Sequence, residues 1–129
     1  LETSELLVSQ GNNVSIVEMA DEIAPGTWFQ HIDDAMPVLQ KAGTKFLTSH
    51  KLLSVTKAGI ELEDLKNKKA VALKVDYVVL SLGVRPDTTL YNSIKNSVDY
   101  KVYNVGDSVK IGRIANATES AYQLVMSIE

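Results

Sequence analysis

The opening stretch of the sequence confines the chain to a small set of folds. Leu1 to Gln10 carries good helix formers, with Leu6 and Leu7 apolar, and Gly11 stands where a glycine ends a helix. Asn12 and Asn13 make a turn. Val14 to Glu18, apolar at 14, 16 and 17, then reads as a short strand buried on both faces. A helix feeding a buried strand through a short loop is half of a β–α–β unit, the building block of parallel sheets covered by helices. The strand that should precede the helix is not in the sequence. The helix also begins without a cap or an initiator Met, so the start reads as the interior of a longer chain.

The alternation continues. Ala24 to Thr27, containing Pro25 and Gly26, reads as loop. Trp28 to Ala42 reads as a helix, with Phe29, Ile32, Met36 and Leu39 at helical spacing and Gly43 just beyond its end. Pro37 lies inside it, which predicts a kink or a broken first half. Lys45 to Ser49 is a further short strand. From Lys51 to Leu73 the period changes to two: Leu53, Val55, Ile60, Leu62, Val71 and Leu73 alternate with polar residues. Lys57-Ala58-Gly59 and Lys66-Asn67-Lys68 mark turns. That pattern is an antiparallel meander with one wet face. Val75 to Leu82 and Val102 to Val105 read as dense apolar strands ending at Gly83 and at Gly106-Asp107. The last segment is an amphipathic helix with Ile114, Ala117, Ala121, Leu124, Val125 and Ile128 on one face. The expected fold is α/β: a three-layer, Rossmann-like architecture with an antiparallel meander, lacking its first strand and glycine loop.

Composition narrows the function classes. Thirteen basic and sixteen acidic residues give a net charge of −3, which leaves no basic footprint for nucleic acid. The chain has no cysteine, so it holds no disulfide, thiolate metal site or redox-active cysteine pair; that fits a cytoplasmic protein. No apolar run is long enough to span a membrane, and no signal peptide is visible.

Glu18 is the sharpest candidate for chemistry. It ends a strand that follows a helix, where dinucleotide-binding units place an acidic residue to accept hydrogen bonds from the adenosine ribose. Its carboxylate would repel a 2′-phosphate, and no Arg lies in residues 19–24 to receive one, which favours NADH over NADPH. A plain polar strand end is the equal alternative. The seven glycines nowhere make the G-x-G-x-x-G spacing that brings backbone N–H groups to a pyrophosphate. In Leu82-Gly83-Val84-Arg85-Pro86, Gly83 permits a close turn and Pro86 stiffens the exit, although an ordinary turn explains both. Asp107, after Gly106, is a strand-end carboxylate like Glu18, in a dipeptide common in turns. His31 and His50 lack an acidic or serine partner at recognisable spacing. Trp28 and Phe29 read as core or interface residues, and no metal-ligand cluster is present.

Three stretches together resemble one flavoenzyme family. Leu1-Glu2-Thr3-Ser4-Glu5-Leu6-Leu7, Asn13-Val14-Ser15-Ile16-Val17-Glu18-Met19 and Asp21-Glu22-Ile23-Ala24 resemble the region just after the second glycine motif of the multidomain NADH:flavin oxidoreductases. These are the relatives of 2,4-dienoyl-CoA reductase and 2-enoate reductase. Val79-Leu80-Ser81-Leu82-Gly83-Val84-Arg85-Pro86 resembles the strand and turn closing that family's pyridine-nucleotide domain. Tyr103-Asn104-Val105-Gly106-Asp107 resembles its late FAD motif, and residues 113–129 the helix after it. Related disulfide reductases and NADH oxidases share these motifs.

The resemblance implies NADH and FAD as cofactors, with Asp107 at the ribityl–pyrophosphate part of FAD. It implies an Old Yellow Enzyme-type TIM barrel with FMN, and an iron–sulfur cluster, in an upstream part of the parent polypeptide. Residues 1–93 would then be a partial NAD(P)-binding domain and 94–129 the end of the FAD-binding domain. The parent would reduce an activated C=C bond, and this C-terminal fragment would be inactive alone. A non-catalytic nucleotide-binding module and a ligand-free interaction domain are the competing readings. One structural expectation follows from the missing strand: Val102 to Val105 and the last helix could fill its slot, within one chain or between two as a homodimer.

Overall fold

In the computed structural model, which describes residues 1–128, the chain forms two compact units, one from Leu1 to Val79 and one from Leu80 onward. The first unit opens on the expected helix, α1 (Glu2–Ser9), with Glu2 and Glu5 in the first turn, where the helix dipole favours negative charge. At its far end Gly11 takes φ +83°. Its N–H thereby reaches the Val8 carbonyl at 3.0 Å, and the Asn12 N–H reaches that of Leu7 at 3.1 Å. These paired bonds satisfy carbonyls that a helix end otherwise leaves open. Helix α2 (Phe29–Lys41) stops the same way. With Gly43 at φ +75°, the Gly43 N–H donates to Gln40 and the Thr44 N–H to Leu39, both at 3.0 Å. Pro37 removes one backbone donor from α2 but does not break off its first half: the helix is continuous over 13 residues and buries Ala35 and Leu39.

Helix α2 is the crossover between two parallel strands, β1 (Ser15–Val17) and β2 (Lys45–Leu47), paired with Ile16 opposite Phe46. The ladder runs one residue further at each end: the Lys45 N–H donates to Val14 at 3.1 Å and the Glu18 N–H to Leu47 at 2.9 Å. Helix α1 packs on α2. Strand β1 is half-buried along its length, not covered on both faces as its apolar run implied, because the parallel sheet has only these two strands among the described residues.

The meander forms as expected: β3 (His50–Thr56), β4 (Gly59–Asp64) and β5 (Lys69–Leu73), antiparallel, with β4 central. Ile60 and Leu62 are buried while Glu61 between them is exposed, the alternation of a one-sided sheet. One register detail differs from the sequence pattern. A bulge between Leu52 and Ser54 places Leu52, not Leu53, opposite Leu62, and leaves Leu53 exposed. The β4–β5 turn is tied by Asp64, whose Oδ1 accepts the N–H groups of Lys66 at 2.9 Å and Asn67 at 3.0 Å.

The second unit holds α3 (Thr89–Ile94), a 3-10 turn (Gly106–Ser108) and α4 (Ile114–Ser127). The two apolar strands expected at Val75–Leu82 and Val102–Val105 are not formed; both segments run without a ladder. The reason is physical: apolar, β-prone residues make a strand only where a neighbouring strand supplies donors and acceptors, and none does so here. From Leu80 onward no described residue is buried, and on the apolar stripe of α4 Ala117, Ala121 and Leu124 are half-buried while Ile114 is 87% exposed.

Candidate functional site

Glu18 stands one residue beyond β1, at the carboxyl end of the parallel pair, which is where ligands sit in open α/β sheets. Its backbone is held on both sides: the N–H donates to Leu47 at 2.9 Å, and the carbonyl accepts the His50 N–H at 3.0 Å. Its side chain is half-buried, and Oε1 accepts the Ala20 N–H at 2.9 Å. That bond fixes the carboxylate while leaving Oε2 and further lone pairs for a ligand hydroxyl. Asp21 and Glu22 follow, so an anionic group brought here meets acid. Two unit charges 4 Å apart repel by about 1 kcal/mol in water and about 4 kcal/mol at the effective dielectric of a protein surface. These acceptors therefore suit a neutral diol and oppose a phosphate.

The other sequence candidates lie in the second unit. Gly83 takes φ +75° with nothing near its Cα, and Arg85 and Pro86 follow it in an exposed segment without regular structure. Asp87 closes that segment, its Oδ1 accepting the Thr89 N–H at 2.8 Å. The Thr89 side chain first, and this N–H second, hold its carboxyl below the usual carboxylate range. Gly106, at φ +70°, opens the 3-10 turn that carries Asp107. The Gly106 N–H donates to Ser120 Oγ of α4 at 3.2 Å, and Asp107 Oδ1 accepts the Gly112 N–H at 3.2 Å. Two side chains the sequence did not single out order this region: Ser120 ties the turn to α4, and Asn116 Oδ1 accepts the Arg113 N–H at 2.9 Å at the start of that helix. The only available signal was two polar residues, at the third and seventh positions of a helix. A cleft of about 580 Å³ lies between Asn104–Gly106 and the α4 face carrying Asn116, Ser120 and Gln123. Asp107 does not line it.

The two histidines take structural positions. His31 is exposed on α2, 3.9 Å from Glu2, and His50 places Nδ1 2.6 Å from the Thr48 carbonyl. Among the described residues no group of His, Asp or Glu side chains could hold a metal ion, and no helix is long and apolar enough to cross a membrane.

A parallel β–α–β unit with a strand-end carboxylate, a glycine-gated turn and an antiparallel meander defines an α/β dinucleotide-binding fold. Residues 1–121 match the pyridine nucleotide-disulphide oxidoreductase family, and the chain belongs to it. Bilirubin reductase of Mediterraneibacter gnavus (strain CC55_001C) is 34% identical over 126 residues, covering 94% of this chain and 19% of that protein. The NADH oxidase of Thermoanaerobacter brockii is 27% identical over 130 residues, covering 98% of this chain and 19% of that protein. Among solved structures, histamine dehydrogenase from Rhizobium sp. 4-9 superposes with a TM-score of 0.75 at 17% identity, over 98% of this chain and 20% of that one. The chain thus spans about one fifth of the length of the curated relatives it matches.

Proposed function

We propose that this chain is the nucleotide-binding part of a flavin-dependent oxidoreductase that draws on NADH and FAD, and whose parent reduces an activated C=C bond elsewhere in the polypeptide. The observation that carries the reading is Glu18, a carboxylate fixed by the Ala20 N–H at the carboxyl end of a parallel strand. Family membership and the names of a bilirubin reductase and an NADH oxidase among its relatives support the class. In this reading residues 1–93 serve the pyridine nucleotide and 94–129 the flavin, in a cytoplasmic protein. Glu18 accepts the adenosine ribose hydroxyls and opposes a 2′-phosphate. Gly83, Arg85 and Pro86 form the turn at the nucleotide, and Gly106 and Asp107 face the ribityl–pyrophosphate of FAD. Bound NADH supplies hydride and bound FAD accepts it; the protein's own part is to bind, orient and exclude. FMN and an iron–sulfur cluster belong to the remainder of the parent.

Calorimetric titration of the chain with NADH, NADPH and FAD tests this. A hydrogen bond to a charged group contributes about 1.5–3 kcal/mol, so Glu18→Ala should weaken NADH at least tenfold. Equal binding of NADH and NADPH, unaffected by Glu18→Ala, would refute the role of Glu18. A second reading, an interaction module with a dinucleotide-binding fold, has an observation of its own: no G-x-G-x-x-G occurs among the seven glycines. If none of the three nucleotides binds, the glycine loop is indispensable and the role of Glu18 is to be tested in the full-length parent.

A further inference from the structure

Beside Glu18 the backbone holds an unusual residue. Ser49 is 6% exposed and sits at φ +55°, the left-handed region that residues with a Cβ seldom occupy. Glycine, Asn and Asp enter it most readily, and Ser49 is none of these. Such outliers persist only where the surroundings over-determine them, and they gather at binding sites. Here the surroundings are specific. The Ser49 N–H donates to the Ala20 carbonyl at 2.7 Å, and the Ser49 carbonyl accepts the Leu65 N–H at 2.8 Å. The next residue, His50, donates its N–H to the Glu18 carbonyl at 3.0 Å. Ala20 in turn gives its N–H to Glu18 Oε1 at 2.9 Å. Two backbone bonds thus tie residues 49 and 50 to the segment 18–20, and a third, from the Ala20 N–H, ties that segment to the Glu18 carboxylate. In an extended chain successive N–H groups point to opposite sides; the left-handed turn at Ser49 lets both address the same segment.

We propose that Ser49 is a positioning residue for Glu18: its left-handed backbone holds the Ala20 peptide, and through it the Glu18 carboxylate, in the orientation that takes the adenosine ribose hydroxyls of NADH. This rests on the reading of Glu18 given above. It explains why a buried residue with positive φ stands in the turn between β2 and β3.

Two substitutions separate positioning from mere structure. Ser49→Thr adds a branch at Cβ that disfavours positive φ, whereas Ser49→Gly adopts φ +55° freely. In calorimetric titrations of the whole chain, Ser49→Thr should weaken NADH about tenfold and shrink its margin over NADPH, and Ser49→Gly should restore both. A purely structural role would weaken both nucleotides alike. Amide hydrogen exchange supplies a readout that needs no nucleotide. Glu18→Ala should speed exchange at Ser49 as well as at Ala20, because one residue, Ala20, makes both bonds, one through its N–H and one through its carbonyl. The proposal is overturned if Glu18→Ala leaves the Ser49 amide as protected as before. It is equally overturned if a folded Ser49→Thr keeps both Ala20 protection and the NADH preference. The reading of Glu18 fails separately, on an unchanged nucleotide preference in Glu18→Gln; the exchange result then still decides the role of Ser49.

Discussion

Gly59→Ala is the substitution whose consequence the structure specifies most sharply. Gly59 opens β4 at φ +135°, and a Cβ built there would lie 2.2 Å from the Leu73 carbonyl oxygen, 2.9 Å from Lys74 Cα and 3.1 Å from Leu73 C. All three are backbone atoms of the neighbouring strand β5 and its continuation, so no side chain can swing aside. A residue with a Cβ also carries about 1–2 kcal/mol of backbone strain at such a φ. Forcing extra volume into a packed position costs about 1–3 kcal/mol more. The stiffer unfolded chain of an alanine variant returns about 0.4–1 kcal/mol. The net loss is about 2–4 kcal/mol, a large share of the 5–15 kcal/mol that folded domains typically hold. The assay is urea unfolding followed by circular dichroism, with Gly11→Ala as the reference. Gly11 also has positive φ, but a Cβ there meets nothing within 4 Å, so its loss is the conformational part alone, about 1 kcal/mol. Equal losses in the two variants would refute the argument, because they would show that the β4–β5 contact yields without cost.

Two further predictions concern the same unit. Thr44 is 8% exposed, and among the described residues its Oγ1 has no hydrogen-bond partner. Thr44→Val keeps the shape and removes the orphaned hydroxyl, so thermal unfolding should show a gain of about 1 kcal/mol; a loss of that size would mean the hydroxyl is bonded. Asp64 is half-buried and held below the usual carboxylate range, first by the Asn67 side chain and then by the Asn67 N–H, with a lesser contribution from the Lys66 N–H. A carboxyl whose folded pKa lies below its unfolded one contributes stability above the unfolded pKa and loses it as pH falls through the folded one. The β4–β5 turn should therefore loosen below about pH 4. The amide resonances of Lys66 and Asn67 should titrate together in that range, and Asp64→Asn should abolish the titration.

Several elements were legible in the sequence because short-range physics decides them. Helices α1 and α2 end where glycine permits the left-handed cap, and Gly11 and Gly43 mark both stops. The meander follows from alternation and from the turn residues around Ala58 and Asn67. Glu18 could be placed at a strand end because the helix before it and the apolar run leading to it are local features. The remaining features depend on partners distant in sequence. The bulge that exchanges Leu52 for Leu53 is a matter of pairing with β4. The brace that Ser49 and His50 form on Glu18 joins residues some thirty positions apart. Val75–Leu82 and Val102–Val105 show the limit most plainly. Their side chains have every property of buried strands, yet they form none, because a strand exists only through the hydrogen bonds and cover that another segment supplies.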